Sequence, residues 1–359
     1  AVLAEGAAAA RQGAAGAPTQ EAALRTAAGL LGVTDEALEA FLTTAELAVG
    51  AADGAAGGET MLRERSDREA ATLWATLAQE LYAALFGWLT QFVAQSVAPP
   101  QECEGFRRLG LLDLYGFEVF AANGFEQLLI NYCNERLQQL FNRQVFACEA
   151  GEYAAEGLDV DGQWQRVSAA CRLPALGLLE GEAGGPGIFG VINDRSRCGL
   201  DEADADGSAL IDGVARACGR HPAFCRRAGV EASRQFGVRH FAGEVFYEGA
   251  MFARKNASAH RPDIFSFLRT SRSEFIVELA SAGAAGEEPP LSRPARRRFG
   301  RTLISSFQQE LGELTATLEA RECQHVRCLR PNDTQTPLSF DGGAMLRQCR
   351  YSGLLEVAR

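Results

Sequence analysis

Leu112-Asp113-Leu114-Tyr115-Gly116-Phe117-Glu118 is the stretch on which the reading of this chain turns. It continues Leu109-Gly110-Leu111, so a run without polar alternation ends abruptly on an acid. A run of that kind, bounded by polar residues, has the pattern of a central strand buried on both faces and predicts a strand over 109–112. Residues 114–118 then form a loop. A long helix is expected from Asn123, which could cap it while Glu126 reaches back from three residues on. Leu128, Tyr132, Leu137, Leu140, Phe141 and Val145 keep the helical period to about Glu152, a length of roughly 40 Å at about 1.5 Å per residue.

The loop between strand and helix is the candidate site. An aspartate at the carboxyl end of a buried strand is placed to hold a water of a magnesium ion, as the second acidic motif of nucleoside triphosphatases does. Gly116, three residues later, lets a backbone N–H approach a terminal phosphate because no Cβ intervenes. The Asp-x-x-Gly pattern is short, and a plain strand-end turn produces it equally well.

Upstream of this stretch, residues 1–28 are low in complexity. Thr34 is a natural N-cap followed by Asp35 and Glu36 in the first turn, and Leu38, Phe41 and Leu42 recur at helical spacing. Ala51 to Gly58 is glycine-rich but lacks the Lys-Ser/Thr ending of a phosphate loop, so it reads as a surface loop. Ser66-x-x-Glu69 is a capping box. It opens a long helix whose Leu73, Leu77, Leu81, Leu85, Leu89 and Phe92 predict a core-facing stripe ended by Pro99-Pro100.

Downstream, residues 159–235 are mixed and loop-rich. Phe236 to Tyr247 reads as two short strands about Ala242-Gly243. Phe252 to Phe275 is expected to be helical after an irregular start, and Ser281 to Arg298 is a linker. A helix over 301–318 leads to a strand, His325 to Leu329, stopped by Pro331-Asn332, and Gly343 to Arg359 is helical again.

Composition excludes several classes. In 359 residues, 47% hydrophobic and 23% charged, the net charge is −11, which disfavours a general nucleic-acid binder or a membrane-surface polycation. No apolar run is long enough to span a bilayer. The ten cysteines contain no Cys-x-x-Cys, and the four histidines lie far apart, so standard zinc spacing is absent and reduced cysteines are the reading. Glu202-x-Asp204-x-Asp206-Gly207 mimics the start of a calcium loop, but its twelfth position is Gly213; Asp159-x-Asp161-Gly162 fails likewise.

Longer matches settle the weighting. Leu112 to Glu118, followed by Asn123-Gly124-Phe125-Glu126-Gln127-Leu128-Leu129-Ile130-Asn131-Tyr132-Cys133-Asn134-Glu135-Arg136-Leu137-Gln138-Gln139-Leu140-Phe141-Asn142, resembles the switch II loop and relay helix of myosin motors. In family order come His240-Phe241-Ala242-Gly243-Glu244-Val245-Phe246-Tyr247 with Lys255-Asn256, then Val326-Arg327-Cys328-Leu329-Arg330-Pro331-Asn332, then Leu346 to Arg359, similar to the SH2/SH1 helices. Leu30-Leu31-Gly32-Val33 and Leu77 to Phe86 also fit, and the resemblance covers 24–359.

The resemblance implies an α/β, predominantly helical fold: an incomplete myosin motor of the P-loop NTPase type. Its expected parts are the end of an upper lobe (1–100), the switch II strand and loop (101–122), and the relay helix with a lower actin-binding lobe (123–280). A loop 2-like linker (281–300) and a helix, strand and SH2/SH1-like segment (301–359) follow. Asp113 would lie in the second shell of magnesium, the Gly116 N–H would sense the γ-phosphate of ATP, and Glu118 would pair with a switch I arginine and position the lytic water. No phosphate loop or switch I motif occurs, and Lys255 is the one lysine. The chain opens on Ala1 and ends within a helical segment, so a piece of a longer protein is expected, unable to hydrolyse ATP alone.

For F-actin, the resemblance points to Leu311, Leu314, Leu318, Arg327, Arg330, Pro331 and Asn332, and to the loop 2-like Arg296, Arg297 and Arg298. A solvated arginine cluster explains the last three as well. Cys323-Gln324-His325 and the helix-loop-helix tip at Cys198 to Asp204, within Ile188 to Asp212, depart from the family pattern. Glu59 falls near the acidic position of the cardiomyopathy-type loop. Light chains would bind only a downstream lever. The expected place is the actin cytoskeleton of the cytoplasm. An enzyme part is the leading reading, and a non-hydrolysing actin-binding or scaffold protein derived from a motor is the alternative.

Overall fold

The computed structural model describes residues 20–49, 59–98, 109–158, 173–182, 185–198, 207–227, 229, 234–257, 262–284 and 302–354. In chain order the elements are α1 (Gln20–Leu31), α2 (Asp35–Thr43), β1 (Thr44–Val49), β2 (Glu59–Glu64), α3 (Asp67–Val97), α4 (Phe125–Ala155), α5 (Pro174–Glu180), β3 (Gly181–Glu182) and β4 (Gly185–Pro186). Then come α6 (Ile188–Arg197), α7 (Ser208–Cys218), β5 (Phe224–Cys225), β6 (Gln235–His240), β7 (Gly243–Glu248), α8 (Phe252–Asn256), α9 (Pro262–Leu268), α10 (Glu274–Ala284), α11 (Leu303–Glu319) and α12 (Gly342–Tyr351). Helix dominates, and every strand pair among the described residues is antiparallel.

The chain divides into two compact units, 1–108 with 259–297, and 109–258 with 298–359. Residues 259–280 thus group with the first unit, whereas the sequence reading placed them in the lower lobe. In the first unit Leu31, Leu38, Leu42, Leu73, Leu77, Ile264, Phe265 and Leu268 form one apolar cluster. Its helices start as their sequences dictate. The Thr34 hydroxyl accepts the Ala37 N–H, and Ser66 and Glu69 close the capping box, Glu69 taking the Ser66 N–H at 2.9 Å. The hydrogen bonds from Arg63 and then from Ser66 hold the Glu69 carboxyl down at about 2. The strands β1 and β2 flank the segment read only as a surface loop, and pair over Thr44↔Glu64 to Val49↔Glu59.

The stripe on α3 is core only in part. Leu73 and Leu77 are buried, but Leu89 is 47% and Phe92 53% exposed. Here Trp88 gives α3 its lateral contact, donating to Glu278 and meeting the Phe275 ring edge-on at 5.1 Å.

In the second unit, β5, β6 and β7 form a three-stranded sheet with Phe236 opposite Tyr247 and Val238 opposite Val245. These four side chains point to one face and are buried with Leu128, Leu129, Ile188, Phe189, Leu210 and Phe252. Each such aliphatic or aromatic side chain contributes about 1.5–3 kcal/mol relative to exposure. The helices α5, α6 and α7 occupy a region read as loop-rich. At the start of α7, Gly207 has φ +75° and a Cβ there would lie 2.4 Å from the Gly249 carbonyl carbon, so the close approach needs glycine.

Three expectations are corrected. Residues 109–112 carry no regular secondary structure and belong to no ladder, with Leu109 99% and Leu111 96% exposed. A strand buried on both faces needs neighbours on both edges, and no described strand lies beside it. Residues 325–329 likewise form no strand, and Val326 is exposed. The segment 252–275 is broken into α8, α9 and the start of α10 rather than one helix.

Candidate functional site

The loop 113–118 meets α4 through amide side chains. The cap of α4 falls one residue later than the sequence suggested: Gln127 Oε1 accepts the Gly124 N–H at 2.9 Å, while Asn123 Oδ1 accepts the Phe120 N–H at 2.8 Å and its Nδ2 donates to the carbonyls of Phe120 and Phe246. Glu126 instead receives Lys255 Nζ at 2.7 Å. Burial pushes the Glu126 carboxyl up, but the Lys255 hydrogen bond and charge together with the residue's own N–H outweigh it, and the group sits below its ordinary value. The one lysine of the chain is thus committed to an ion pair on α4.

Nearly two turns into α4, Asn131 grips the main chain of Glu118 from both sides. Its Oδ1 accepts the Glu118 N–H at 2.8 Å and its Nδ2 donates to the Glu118 carbonyl at 2.8 Å. Asn134 Nδ2 donates to the Tyr115 carbonyl at 3.1 Å, and Gln127 Nε2 lies 3.3 Å from the Glu118 carboxylate. Between them Phe117 is buried against His240, Phe241 and Tyr351, with ring centroids 5.1, 5.4 and 5.9 Å away. Toward its amino end the loop opens: Asp113 and Tyr115 are exposed, and a Cβ at Gly116 would meet nothing within 4 Å.

Behind Asn131 lies a fully buried polar cluster. Asn131 Nδ2 donates to the Tyr247 hydroxyl at 2.9 Å, that hydroxyl is 2.8 Å from His240 Nε2, and His240 Nδ1 is 3.0 Å from Glu135 Oε1. Glu135 Oε1 also accepts the Phe241 N–H at 2.9 Å. Burial drives the Tyr247 hydroxyl well above the usual tyrosine range; Asn131 opposes that shift and Glu135 adds to it.

Sequence reasoning named Asp113, Gly116 and Glu118 and did not single out Gln127, Asn131, Asn134 or Glu135, which the structure brings to the same loop and the cluster behind it. The signal was there. Asn131, Glu135, Gln138 and Asn142 are buried polar residues at steps of three and four along α4, a helical stripe of amides and one acid where apolar residues are usual.

The other expected residues are distributed more widely. Leu311 is buried in the core, so it supports a surface rather than forming one, and Leu314 packs against the same cluster. Leu318 is half-buried. Arg327 stacks over the Phe141 ring at 4.9 Å and reaches Gln138, and the desolvation lowers its pKa. Arg330 pairs with Asp333 at 3.8 Å across exposed surface. The Pro331 carbonyl accepts the Asp341 N–H. Asn332 is buried, donating to the carbonyls of Thr336 and Ser339 and accepting from Thr334 and Thr336, so it organises its own turn. Arg296, Arg297, Arg298, the Glu59 side chain and the tip 199–206 lie outside the described residues, although α6 and α7 bracket that tip. No helix is long and apolar enough to cross a membrane among the described residues.

The family model described as myosin head (motor domain) matches residues 5–359. The chain belongs to the myosin motor family. It is 31% identical over 336 residues to "Myosin-I heavy chain" of Dictyostelium discoideum, covering 94% of this chain and 13% of that protein. "Myosin IC heavy chain" of the same organism is 33% identical over 280 residues, covering 78% and 22%. "Myosin-14" of Mus musculus is 33% identical over 295 residues, covering 79% and 14%. The chain therefore spans less than a quarter of the length of these relatives.

Proposed function

We propose that the chain is the state-sensing and actin-facing part of an ATP-driven motor of P-loop NTPase type, working in the actin cytoskeleton. The observation that carries the reading is the junction at Glu118, clamped by Asn131 to a 31-residue helix while Asp113 to Gly116 stays open beside it. Glycine at 116 is demanded neither by positive φ nor by any neighbour within 4 Å, which is what approach by a ligand group would explain.

On this reading the Gly116 N–H donates to the terminal phosphate of ATP, and a shift of the loop passes through Tyr115 and Glu118 to Asn134, Asn131 and the length of α4. Glu118, held at its main chain and steadied at its carboxylate by Gln127, orients the attacking water. Asp113 fits magnesium as an outer partner: its hard oxygens are exposed, and no group of three metal-ligating side chains occurs among the described residues, so phosphate and water would supply the inner ligands. Bound magnesium would neutralise charge on the phosphates. Lys255 is held by Glu126, so the phosphate-binding lysine would come from outside this sequence.

Two measurements test this. Joined to the phosphate-loop half of a myosin head, the chain should turn over Mg-ATP, and Glu118→Ala should lower kcat by about 10²-fold or more; no turnover above background would end the reading. In co-sedimentation with F-actin, that joined protein should be released by ATP. Retention despite ATP would favour the non-hydrolysing scaffold.

A further inference from the structure

The buried cluster behind Asn131 has a direction, which follows from counting donors. The Asn131 amide nitrogen has two hydrogens, and its two acceptors are the Glu118 carbonyl and the Tyr247 hydroxyl oxygen. The Tyr247 hydroxyl therefore accepts from Asn131, and its own hydrogen is free to be donated. Its remaining neighbour at hydrogen-bond distance is His240 Nε2, 2.8 Å away. Nε2 thus accepts, which places the imidazole hydrogen on Nδ1, directed at Glu135 Oε1 at 3.0 Å. The chain ends on a carboxylate with acceptor capacity to spare, since Glu135 Oε2 is buried without a partner among the described residues.

We propose that Tyr247 and His240, the latter as its Nδ1–H tautomer, are positioning residues that fix the Glu118 main chain through Asn131. The physical reason is orientation. An asparagine amide that turned over would place a donor against the Glu118 N–H and an acceptor against its carbonyl. The Tyr247 hydroxyl, already committed to donating to His240, can only accept from the asparagine, so it penalises the flipped amide. The sheet pair β6–β7 therefore sets the orientation of the loop-to-helix junction, although neither Tyr247 nor His240 makes a hydrogen bond to the loop itself. That this serves the motor rests on the reading of Glu118 above; the coupling itself does not.

The test needs no ATPase, so its failure is separable from failure of that reading. In the isotope-labelled chain, nitrogen spectra of the His240 ring should show the hydrogen on Nδ1; an Nε2–H tautomer would overturn the proposal without any variant. Amide exchange at Glu118 should then rise about five- to tenfold in Tyr247→Phe and in His240→Asn, which keeps the donor toward Glu135 but loses the acceptor, one hydrogen bond's worth of protection. His240→Gln, which keeps an acceptor at the Nε2 position, should restore most of it. The core amides of Leu128 and Val245 should hold their rates. Unchanged Glu118 exchange, acceleration equal to that of the core amides, or equal effects of the glutamine and asparagine variants would each overturn the proposal.

Discussion

The helices α3 and α4 are both 31 residues long and invert one another. α3 carries an unbroken leucine stripe, yet only its first half lies in the core; Leu73 and Leu77 are buried while Leu85, Leu89 and Phe92 are exposed. α4 carries a stripe interrupted by Asn131, Glu135, Gln138 and Asn142, yet all four are buried. Apolar periodicity says which face could be buried, not whether a neighbour arrives to cover it. Buried amides say something stronger. Burying them without partners is costly, so each is expected to mark a specific contact. On α4 those contacts include the loop of the candidate site.

The contrast breaks first, if it breaks, on α3. Leu77→Ala should cost about 2–5 kcal/mol because a cavity opens among Leu38, Leu73 and Ile264, whereas Leu89→Ala should cost under about 1 kcal/mol. Urea denaturation followed by tryptophan fluorescence, to which Trp74 and Trp88 contribute from α3 itself, measures both. Equal costs would mean the second half of the stripe is covered in solution.

The polar stripe of α4 is sharpened by Tyr132→Phe. The Tyr132 hydroxyl donates to Glu180 at 2.7 Å, and burial together with that carboxylate raises its pKa. Losing it should cost about 0.5–1.5 kcal/mol, the net worth of one hydrogen bond, because Glu180 is exposed to water and keeps Arg136 at 3.6 Å, while the ring and its edge contact with Phe189 remain. Amide exchange along α4 and α5 reads the loss.

A comparable effect is expected at the start of α3, where Ser66→Ala should cost about 1 kcal/mol. Its pH dependence has a definite sign. Glu69 is lowered from 4.5 to about 2 in the folded chain, so its contribution is present above pH 4.5 and fades as pH falls toward 2. Ser66→Ala and Arg63→Met should each narrow that acid-labile window, measured as the difference in urea midpoint between pH 6 and pH 3.

The Thr34 cap, the Ser66–Glu69 capping box and the hairpin at Ala242-Gly243 were legible because their signals are local: Thr34, Ser66 and Glu69 satisfy backbone groups within four residues. The box read at Asn123 and Glu126, by contrast, is displaced by Gln127. The α5 helix was not legible, and α6 and α7 were placed only by the helix-loop-helix that the resemblance put within Ile188 to Asp212, because these helices are 7 to 11 residues long and owe their stability to the shared core rather than to their own periodicity. The 109–112 run failed for the opposite reason: its composition fits a buried strand, but pairing is supplied by other strands and not by the run itself.

By itself, then, the sequence determined the starts of α2 and α3 and the β6–β7 turn, since each depends on neighbours a few residues away, and it singled out Asp113 and Gly116 from their place after an apolar run. The tertiary structure alone decided that Asn131, 13 residues from Glu118, would grip its main chain, and that Tyr247 and His240, more than a hundred residues from Asn131, would orient that grip. Hydrogen bonds between distant segments leave no periodic trace along a chain. They exist only once the core has brought β6, β7 and α4 within about 3 Å of sharing protons.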